Sequence, residues 1–303
     1  MRDLMLIVNP YSGRGLSKSA LGTVVSQLGR NGYVVSVYMA GEHNPEELAY
    51  RFAKKHEFCV CVGGDGTLSG VVSGLLRAGR ITPVIGHIPA GTANDVAATL
   101  NLSKDPAAAA QTIIDGALVF LDIGIFAGNN APAAASIHRY FTYIAAFGAF
   151  TETSYSTPQG AKRTLGHFAY VLGGLAGMSS ITARHMVIEL DGNVVEGDYI
   201  FGGVVNSTSV AGFVKLDPEY VDLADGLFEV ILVKQPLSLA DFIGILTSIT
   251  NRSYSGDNVQ LFQAKNVKFT SDTDVAWTID GENGGAYREV EINNYNEAIR
   301  IIV

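Results

Sequence analysis

The 303-residue sequence is poor in cysteine and in positive charge. Its two cysteines, Cys59 and Cys61, lack the CxxC spacing and the second pair that a zinc site needs. We therefore expect two buried thiols in a reducing compartment. Lysine and arginine number 21 against 29 aspartates and glutamates, which gives a net charge of −8. This balance argues against a nucleic-acid-binding surface and against strong electrostatic attachment to an anionic membrane.

Long apolar runs are also missing. No stretch reaches the length that a bilayer-spanning helix requires. Met1-Arg2-Asp3 leads directly into the strand-like run LMLIV instead of a signal peptide, so we expect a cytoplasmic protein. With 48% hydrophobic and 17% charged residues, the chain has the composition of a well-packed globular protein. Its length suits one large domain or two ordinary ones.

The first third of the chain alternates between strand-like and helix-like segments. Buried strands are predicted at residues 4–8, 34–38, 58–62 and 83–87. Helices are predicted at residues 19–29, 45–56, 67–78, 93–100 and 106–115. This alternation predicts a Rossmann-like α/β domain in which a parallel sheet has helices on both faces.

The pattern changes after about residue 122. Short strand-like runs separated by turn residues predict an antiparallel β-rich domain, with strands at 139–147, 185–190, 194–205, 227–233, 267–270 and 275–280. Two predicted helices, at 162–178 and 238–250, interrupt these strands. We place the boundary between a first domain, residues 1–122, and a second domain, residues 123–294. By pattern alone, the last strand, from about 295 to 303, could belong to either.

Three polar loops that contain glycine follow predicted strands of the first domain: NPYSGRG (9–15), GGDGT (63–67) and PAGTAND (89–95). Glycines let the backbone approach an anion, and a following helix supplies unpaired N–H groups and a positive dipole end. Because the carboxyl ends of parallel strands share one edge of a sheet, these loops are expected to lie together. The sequence therefore predicts a phosphate-binding site. Ordinary strand–helix turns, with Asn94 and Asp95 capping a helix, are the simpler alternative.

The carboxylate of Asp65 is unusual in a loop that would bind phosphate, since the two anions repel each other. It is understandable if Asp65 orients a magnesium–nucleotide complex or a substrate hydroxyl. Two better-known loops do not fit. Gly64-Asp65-Gly66 lacks the third glycine at the spacing that a dinucleotide fingerprint needs. In GRGLSKS the residue before Lys18 is Ser17, where a Walker A loop has glycine.

The three loops, in this order and spacing, resemble those of the diacylglycerol kinase-like lipid kinases, the soluble bacterial type related to sphingosine kinases. The match continues through FTYIAAFG (141–148), AKRTLGHFAYVLGG (161–174), LADGLFEV (223–230) and IDGE (279–282). GGDGT alone is shared with NAD kinases, whereas the combination is specific. The resemblance implies an N-terminal Rossmann-like α/β domain, an antiparallel β-sandwich domain of the NAD kinase and diacylglycerol kinase type, and a final strand that returns to the first domain.

The resemblance also implies roles for individual residues. The nucleotide would be contacted or supported by residues of the three loops: Asn9, Ser12, Arg14, Gly63, Gly64, Asp65, Gly66, Thr67, Gly91, Thr92 and Asn94. Glu282 would be the general base, and Asp65 and Asp95 would act beside the phosphates or the acceptor. A structural magnesium would be held by Asp222, Asp225 and Leu227, partly through backbone carbonyls, since oxygen ligands suit that ion.

The implied reaction is the transfer of the γ-phosphate of ATP, with Mg²⁺, to the hydroxyl of diacylglycerol or a related lipid. Charge neutralisation and alignment, supplied by N–H donors and the metal, are what phosphoryl transfer needs most. The expected partners are a lipid substrate and no nucleic acid. We further expect a cytoplasmic protein in transient peripheral contact with a membrane, and a homodimer is a possible assembly.

Three positions depart from the family's pattern. Ala98 stands where an arginine is common after the third loop, Met39-Ala40 replace a region that often has threonine, and Tyr143 stands where asparagine is common. Two alternatives stay open. One is an NAD kinase-like kinase of small molecules, and the other is a catalytically weak regulator that binds nucleotide or lipid.

Overall fold

The computed structural model describes residues 2–13, 16–80, 83–129, 137–148, 182–210, 214–254 and 256–303. The chain divides into two compact units. The first consists of Met1–Ile123, Leu223–Asp225 and Tyr295–Val303, and the second of Gly124–Asp222 and Gly226–Asn294. The short segment Leu223–Asp225 thus joins the first unit although the chain on either side of it belongs to the second. No feature of the sequence had predicted this excursion.

A parallel sheet forms the centre of the first unit. Its strands are β1 (Arg2–Val8), β2 (Tyr33–Met39), β3 (Phe58–Gly63) and β4 (Val84–Pro89). They lie in the order β4-β3-β1-β2, and the end of the chain adds a further parallel strand beside β4, where Arg300 is opposite Val84. The predicted parallel α/β architecture is confirmed.

Three of the helices described in the first unit begin where the preceding residue supplies a capping side chain. The described helices of this unit are α1 (Lys18–Arg30), α2 (Pro45–Phe52), α3 (Asp65–Arg77), α4 (Asp95–Thr99) and α5 (Pro106–Asp115). The side chains of Ser17, Asn44 and Asp105 accept hydrogen bonds from the first turns of α1, α2 and α5. Helix α4 is shorter than the predicted 93–100 because Asn94 adopts a left-handed conformation, with φ 57°.

The two cysteines lie in β3, between β1 and β4, and both are buried. Burial raises the pKa of Cys59 to about 12, and burial likewise raises the pKa of Cys61. Since a thiolate is the reactive form, neither side chain is a nucleophile near neutral pH. The prediction of two buried thiols is confirmed.

Antiparallel strands build the second unit. Among the described residues they are, in chain order, β5 (Leu118–Asn129), β6 (Ile137–Phe141), β7 (Ile144–Gly148), β8 (Arg184–Leu190), β9 (Asn193–Val205), β10 (Ser209–Val210), β11 (Val214–Lys215), β12 (Phe228–Lys234), β13 (Val259–Ala264), β14 (Asn266–Ile279) and β15 (Glu282–Ile302). The helix α6 (Leu239–Asn251) follows β12. The beginning of β5 and the end of β15 belong to the first unit. None of the helices in the described part of the chain is long and apolar enough to cross a bilayer.

Three predicted strands of this unit differ in the structure. The run 139–147 is two strands, β6 and β7, separated by Thr142 and Tyr143. The run 267–270 and residues 275–279 of the run 275–280 are parts of one strand, β14, whose pairing with β15 is irregular between Thr270 and Val275. The predicted helix 162–178 and the motif at 161–174 lie outside the described residues.

An aromatic cluster around Trp277 lies in the core of the second unit. The rings of Phe126, Phe147 and Phe269 contact the indole edge-on, at centroid distances of 5.4, 5.2 and 5.0 Å. This is the arrangement that ring quadrupoles favour. Because β5, β7 and β14 each contribute a ring, the cluster holds together three strands that are distant in sequence.

Candidate active site

The three glycine-containing loops leave the carboxyl ends of β1, β3 and β4, which are neighbours in the sheet. Two backbone hydrogen bonds join the loops where they begin. The N–H of Asn9 donates to the carbonyl of Val62 (2.9 Å), and the N–H of Ala90 donates to the carbonyl of Gly63 (2.7 Å). The prediction that these loops lie together at one edge of the sheet is confirmed.

The hydroxyl of Thr67 links the first loop to the second. It accepts a hydrogen bond from Nδ2 of Asn9 (3.0 Å) and lies 3.2 Å from Oγ of Ser12. The Ser12 hydroxyl in turn accepts the N–H of Gly64 (3.2 Å). These side chains, which sequence reasoning assigned to the nucleotide, therefore also fix the shape of the loops.

The glycines allow the loops to contact one another. A Cβ atom on Gly91 would lie 2.5 Å from Cα of Gly64, and one on Gly63 would lie 2.4 Å from Oγ1 of Thr67. Gly13 has φ +54°, and its Cβ would lie 2.5 Å from the carbonyl oxygen of Ala90. Close packing of one loop on another is thus a reason for glycine in these loops, in addition to the phosphate binding that the sequence predicts.

The carboxylate of Asp65 is directed at the third loop. Its two oxygens accept the N–H groups of Asp95 and Val96, each at 3.1 Å, in the first turn of α4. Only 7% of the residue is exposed. A carboxylate in this position satisfies two unpaired N–H groups and complements the positive end of the helix dipole. Asp65 thus joins the second loop to the third.

Asn94 closes the third loop on itself. Its Oδ1 accepts the N–H of Gly91 and its Nδ2 donates to the carbonyl of Gly91, both at 2.9 Å. Its left-handed backbone is one that asparagine tolerates well. Asp95 begins α4 and is buried, whereas Thr92 is exposed at the tip of the loop.

The positive end of α3 is the part of this edge best suited to an anion. The helix begins at Asp65 after Gly64, which has no side chain to cap it, and Gly66 in its first turn is exposed. Backbone N–H groups and the dipole of a 13-residue helix favour phosphate at this point. Arg14, which sequence reasoning also assigned to the nucleotide, lies outside the described residues.

A buried histidine lies beneath the second loop. The imidazole Nε2 of His87, in β4, is 3.2 Å from the carbonyl oxygen of Gly63. Burial lowers the pKa of His87, although the hydrogen bond to Gly63 and the charge of Asp65 oppose this shift. His87 is therefore a neutral support for the end of β3 near neutral pH.

The D-G-E motif of the second unit forms a tight hairpin. Asp280 and Gly281 both have positive φ, 48° and 80°, and they join Ile279 to its paired residue Glu282. This is the geometry of a two-residue type I′ turn. Glu282, the predicted base, is the first residue of β15 and is exposed, while Asp280 is buried. In the sequence Asp280 stands out only as part of the IDGE motif, and the contacts of its side chain were not predicted.

The predicted metal ligands lie in the loop before β12. Gly226 turns the chain with φ 84°, between Asp225 and Leu227. The carbonyl of Leu227 accepts a hydrogen bond from Nδ2 of Asn294 (3.3 Å).

The chemistry of these donors fits a hard cation. Two carboxylates and a carbonyl are ligands that Mg²⁺ accepts together with water. Among the described residues, no three His, Cys, Asp or Glu side chains are grouped as a metal cluster. A magnesium ion held here would therefore take backbone oxygens or water for its remaining ligands.

Asp122 is a further polar residue that sequence reasoning missed. It is fully buried, and its Oδ1 accepts Nδ2 of Asn296 (3.0 Å) and the N–H of Glu297 (2.7 Å). Its own N–H donates to the carbonyl of Leu223 (2.8 Å). Through these hydrogen bonds Asp122 connects the segment 223–225 to the end of the chain within the first unit. No local pattern in the sequence predicts this connection.

Two family descriptions match the chain. Residues 3–125 match the diacylglycerol kinase catalytic domain, and residues 152–303 match the YegS C-terminal NAD kinase beta sandwich-like domain. A diacylglycerol kinase of Bacillus subtilis (strain 168) is 33% identical over 302 residues, which cover 97% of this chain and 94% of the relative. A diacylglycerol kinase of Staphylococcus aureus (strain JH9) is 34% identical over 283 residues, covering 92% and 86%.

Solved structures show the same fold. A diacylglycerol kinase from Bacillus anthracis str. Sterne has a TM-score of 0.72 at 20% identity, over 99% of this chain and 96% of the other. Yeast NADH kinase, solved as a complex with NADH, has a TM-score of 0.56 at 10% identity, over 100% and 83%. At these identities the likeness concerns the fold.

Proposed function

The chain belongs to the diacylglycerol kinase family and is a lipid kinase, a phosphotransferase that acts on an alcohol group, and on this basis we propose that it transfers the γ-phosphate of ATP to the hydroxyl of diacylglycerol or a related lipid, with Mg²⁺. The observation that carries the proposal is the single edge of the parallel sheet at which three loops meet. The N-terminus of α3, which suits an anion, lies at this edge, and polar side chains hold the loops in place.

The nucleotide would bind along this edge. The N-terminus of α3, with Gly66, and Thr92 would face the phosphates, because Gly66 and Thr92 are exposed residues of the second and third loops. Asn9, Ser12, Thr67 and Asn94 would act mainly by fixing the loops, since their side chains bond to other parts of the same edge. Arg14, Gly63, Gly64 and Gly91 would complete the nucleotide site.

Phosphoryl transfer depends on alignment and charge stabilisation more than on covalent chemistry. The lipid hydroxyl would attack the γ-phosphorus, forming one P–O bond while the bond to ADP breaks. Glu282 would accept the hydroxyl proton, a role worth about 10²–10⁴-fold in rate. Asp95 would lie beside the phosphates or the acceptor. Asp65 would hold it there by accepting a hydrogen bond from the backbone N–H of Asp95.

Asp222, Asp225 and the carbonyl of Leu227 would hold a structural Mg²⁺. Their oxygens are donors of the type that magnesium prefers. When bound, such an ion supplies positive charge that neutralises nearby carboxylates and stiffens the loop. Contact with a membrane would be peripheral and transient, because the lipid acceptor resides there.

The acceptor is identified by presenting lipids one at a time. Purified protein is incubated with γ-labelled ATP, Mg²⁺ and mixed micelles that contain diacylglycerol, a sphingoid base, phosphatidylglycerol or a polyprenol. We expect labelled phosphatidic acid in the arm with diacylglycerol, and no labelled product when EDTA removes the metal. A micelle-free arm contains NAD. Label in NAD alone would overturn the lipid assignment, and ATP binding without transfer to any acceptor would favour a regulator.

A further inference from the structure

The carboxylate of Asp280 makes four hydrogen bonds to one short segment of chain. Oδ2 accepts the N–H of Thr142 (2.7 Å) and its hydroxyl (2.9 Å). Oδ1 accepts the N–H groups of Tyr143 (3.0 Å) and Ile144 (3.1 Å). Asp280 is 3% exposed, so the interaction is shielded from water. Three consecutive N–H groups and a hydroxyl thus converge on a single buried carboxylate.

A hairpin turn does not need this carboxylate. Asparagine followed by glycine forms the same type I′ turn, and an exposed residue would serve there. Burying a carboxylate is unfavourable unless its oxygens accept hydrogen bonds. Here the backbone N–H groups of residues 142–144 donate those hydrogen bonds. The N–H of Asp280 also donates to the carbonyl of Ile144 (2.9 Å). The turn is therefore fixed to the segment between β6 and β7 by side chain and backbone together.

The main chain of Glu282 is held on both of its sides. Its carbonyl accepts the hydroxyl of Thr278 (3.1 Å), and the next carbonyl, of Asn283, accepts the guanidinium of Arg139 (2.6 Å). Asp280 anchors the other side, two residues earlier in the chain. The exposed side chain of Glu282 thus extends from backbone that three separate contacts immobilise.

From this arrangement we propose that Asp280 is a positioning residue, which sets the direction of the Glu282 carboxylate by fixing the turn that carries it. The inference rests on the proposed function, in which Glu282 is the base. A general base must come within about 2.6–3.2 Å of the proton that it removes. A displacement of about 1 Å can lower the rate roughly 10²-fold. A rigid anchor next to the base therefore has a kinetic purpose in addition to its contribution to stability.

The proposal is tested with variants that change the anchor in steps. Asp280→Asn keeps the shape of the side chain but turns an NH₂ group toward an N–H donor. Thr142→Val removes one of the four bonds and leaves Asp280 in place, and it serves if Asp280→Asn fails to fold. Thr142→Ser keeps the hydroxyl and is the matched control. Each variant is made in the wild-type enzyme and in Glu282→Gln.

We measure kcat and KM for diacylglycerol, the affinity for ATP, and the thermal midpoint. In the wild-type background, Asp280→Asn should lower kcat about 10- to 100-fold with little change in KM or in ATP affinity. Thr142→Val should lie between Asp280→Asn and the wild type, and Thr142→Ser should resemble the wild type. In Glu282→Gln, adding Asp280→Asn should change the residual kcat by less than about threefold, because the group that it positions is already gone.

Two results would overturn the positioning role while leaving the base assignment intact. In the first, Asp280→Asn and Thr142→Val both keep the kcat of the wild type while Glu282→Gln is inactive. The other is an equal loss of kcat on adding Asp280→Asn to the wild type and to Glu282→Gln. Full kcat in Glu282→Gln itself would overturn both the base assignment and the inference that rests on it.

Discussion

The carboxylate of Asp65 is hydrogen-bonded to the backbone N–H of Asp95, 30 residues further along the chain. The second oxygen of Asp65 accepts the neighbouring N–H of Val96. The acidic residue of GGDGT therefore caps the helix that follows the third loop. This relationship explains how a carboxylate is accommodated in a loop suited to phosphate, because its charge is directed at a helix N-terminus instead of the ligand.

Replacing Asp65 by alanine should destabilise the protein and weaken its binding of ATP. The substitution leaves two N–H groups of α4 without their acceptor, which costs about 2–3 kcal/mol by analogy with lost caps and unsatisfied buried donors. Urea unfolding and ATP titration measure the two effects. The control is Asp105→Ala, which removes the cap that Ala108 N–H uses at the start of α5. It should cost about 1 kcal/mol of unfolding free energy without changing the affinity for ATP. Equal ATP affinity in both variants would contradict the claim that the contact of Asp65 with α4 supports ATP binding.

A methyl group at Gly91 should separate the second and third loops. The Cβ of Gly91→Ala would lie 2.5 Å from Cα of Gly64, so backbone must shift. We expect a lower melting temperature and at least tenfold weaker binding of ATP, measured by calorimetry. Gly22→Ala is the matched control, since within the described part of the chain nothing lies within 4 Å of the added carbon. In that exposed helical position alanine should stabilise by about 0.5–1 kcal/mol.

The hydroxyl of Thr67 should matter more than its shape. Thr67→Val keeps the size of the side chain but leaves Nδ2 of Asn9 without its acceptor and removes the contact with Ser12. A loss of about 1–3 kcal/mol in unfolding free energy is expected, together with weaker ATP binding. Thr67→Ser restores the hydroxyl and should recover most of both quantities. Equal ATP affinity in the valine and serine variants would show that the hydroxyl network does not support the site.

The stability of the fold should depend on pH through His87. Burial lowers the pKa of His87 in the folded protein, whereas the unfolded chain keeps the ordinary value of about 6.5. The unfolded state then binds the proton first, so the contribution of His87 is complete above about pH 6.5. It declines as the pH falls toward the folded pKa. The free energy of unfolding of wild type minus His87→Gln should therefore be largest near neutral pH and shrink with acid.

His185→Gln provides a comparison of opposite sign. His185 is exposed, and its hydrogen bonds to Asp198 and Glu196 raise its pKa. A raised pKa gives a contribution that is present below the ordinary value and disappears as the pH rises through the folded one. Unfolding curves between roughly pH 5 and 8 separate the two histidines. A difference between wild type and His87→Gln that does not vary with pH would contradict a buried neutral imidazole.

The location of the site could be predicted from the sequence because its signals are local. Each loop is recognised by a buried run followed by glycine and polar residues, and parallel strands bring such loops to one edge. The boundaries of β1–β4 and of α5 follow from the same local patterns. What each side chain contacts is not local, since the partners of Asp65 lie 30 and 31 residues away.

The second unit was harder to predict for the same reason. The strand predicted at 139–147 is interrupted because Thr142, Tyr143 and Ile144 turn their N–H groups toward Asp280, up to 138 residues away. The pattern of apolar residues predicts the strands on either side of Thr142 and Tyr143, but it does not predict the interruption between them. The excursion 223–225 has a comparable cause, because Asp122 from an earlier part of the chain and Asn296 from a later part both bind it.

The measurement that tests the account most directly is the initial rate of labelled phosphatidic acid formation from diacylglycerol and γ-labelled ATP. It compares the wild type with Glu282→Gln and with Glu291→Gln, the same change at an exposed position of the same strand. The account predicts product with the wild type and Glu291→Gln, and a rate at least about 10²-fold lower with Glu282→Gln, all three binding ATP equally. Equal rates for the two glutamine variants would contradict it.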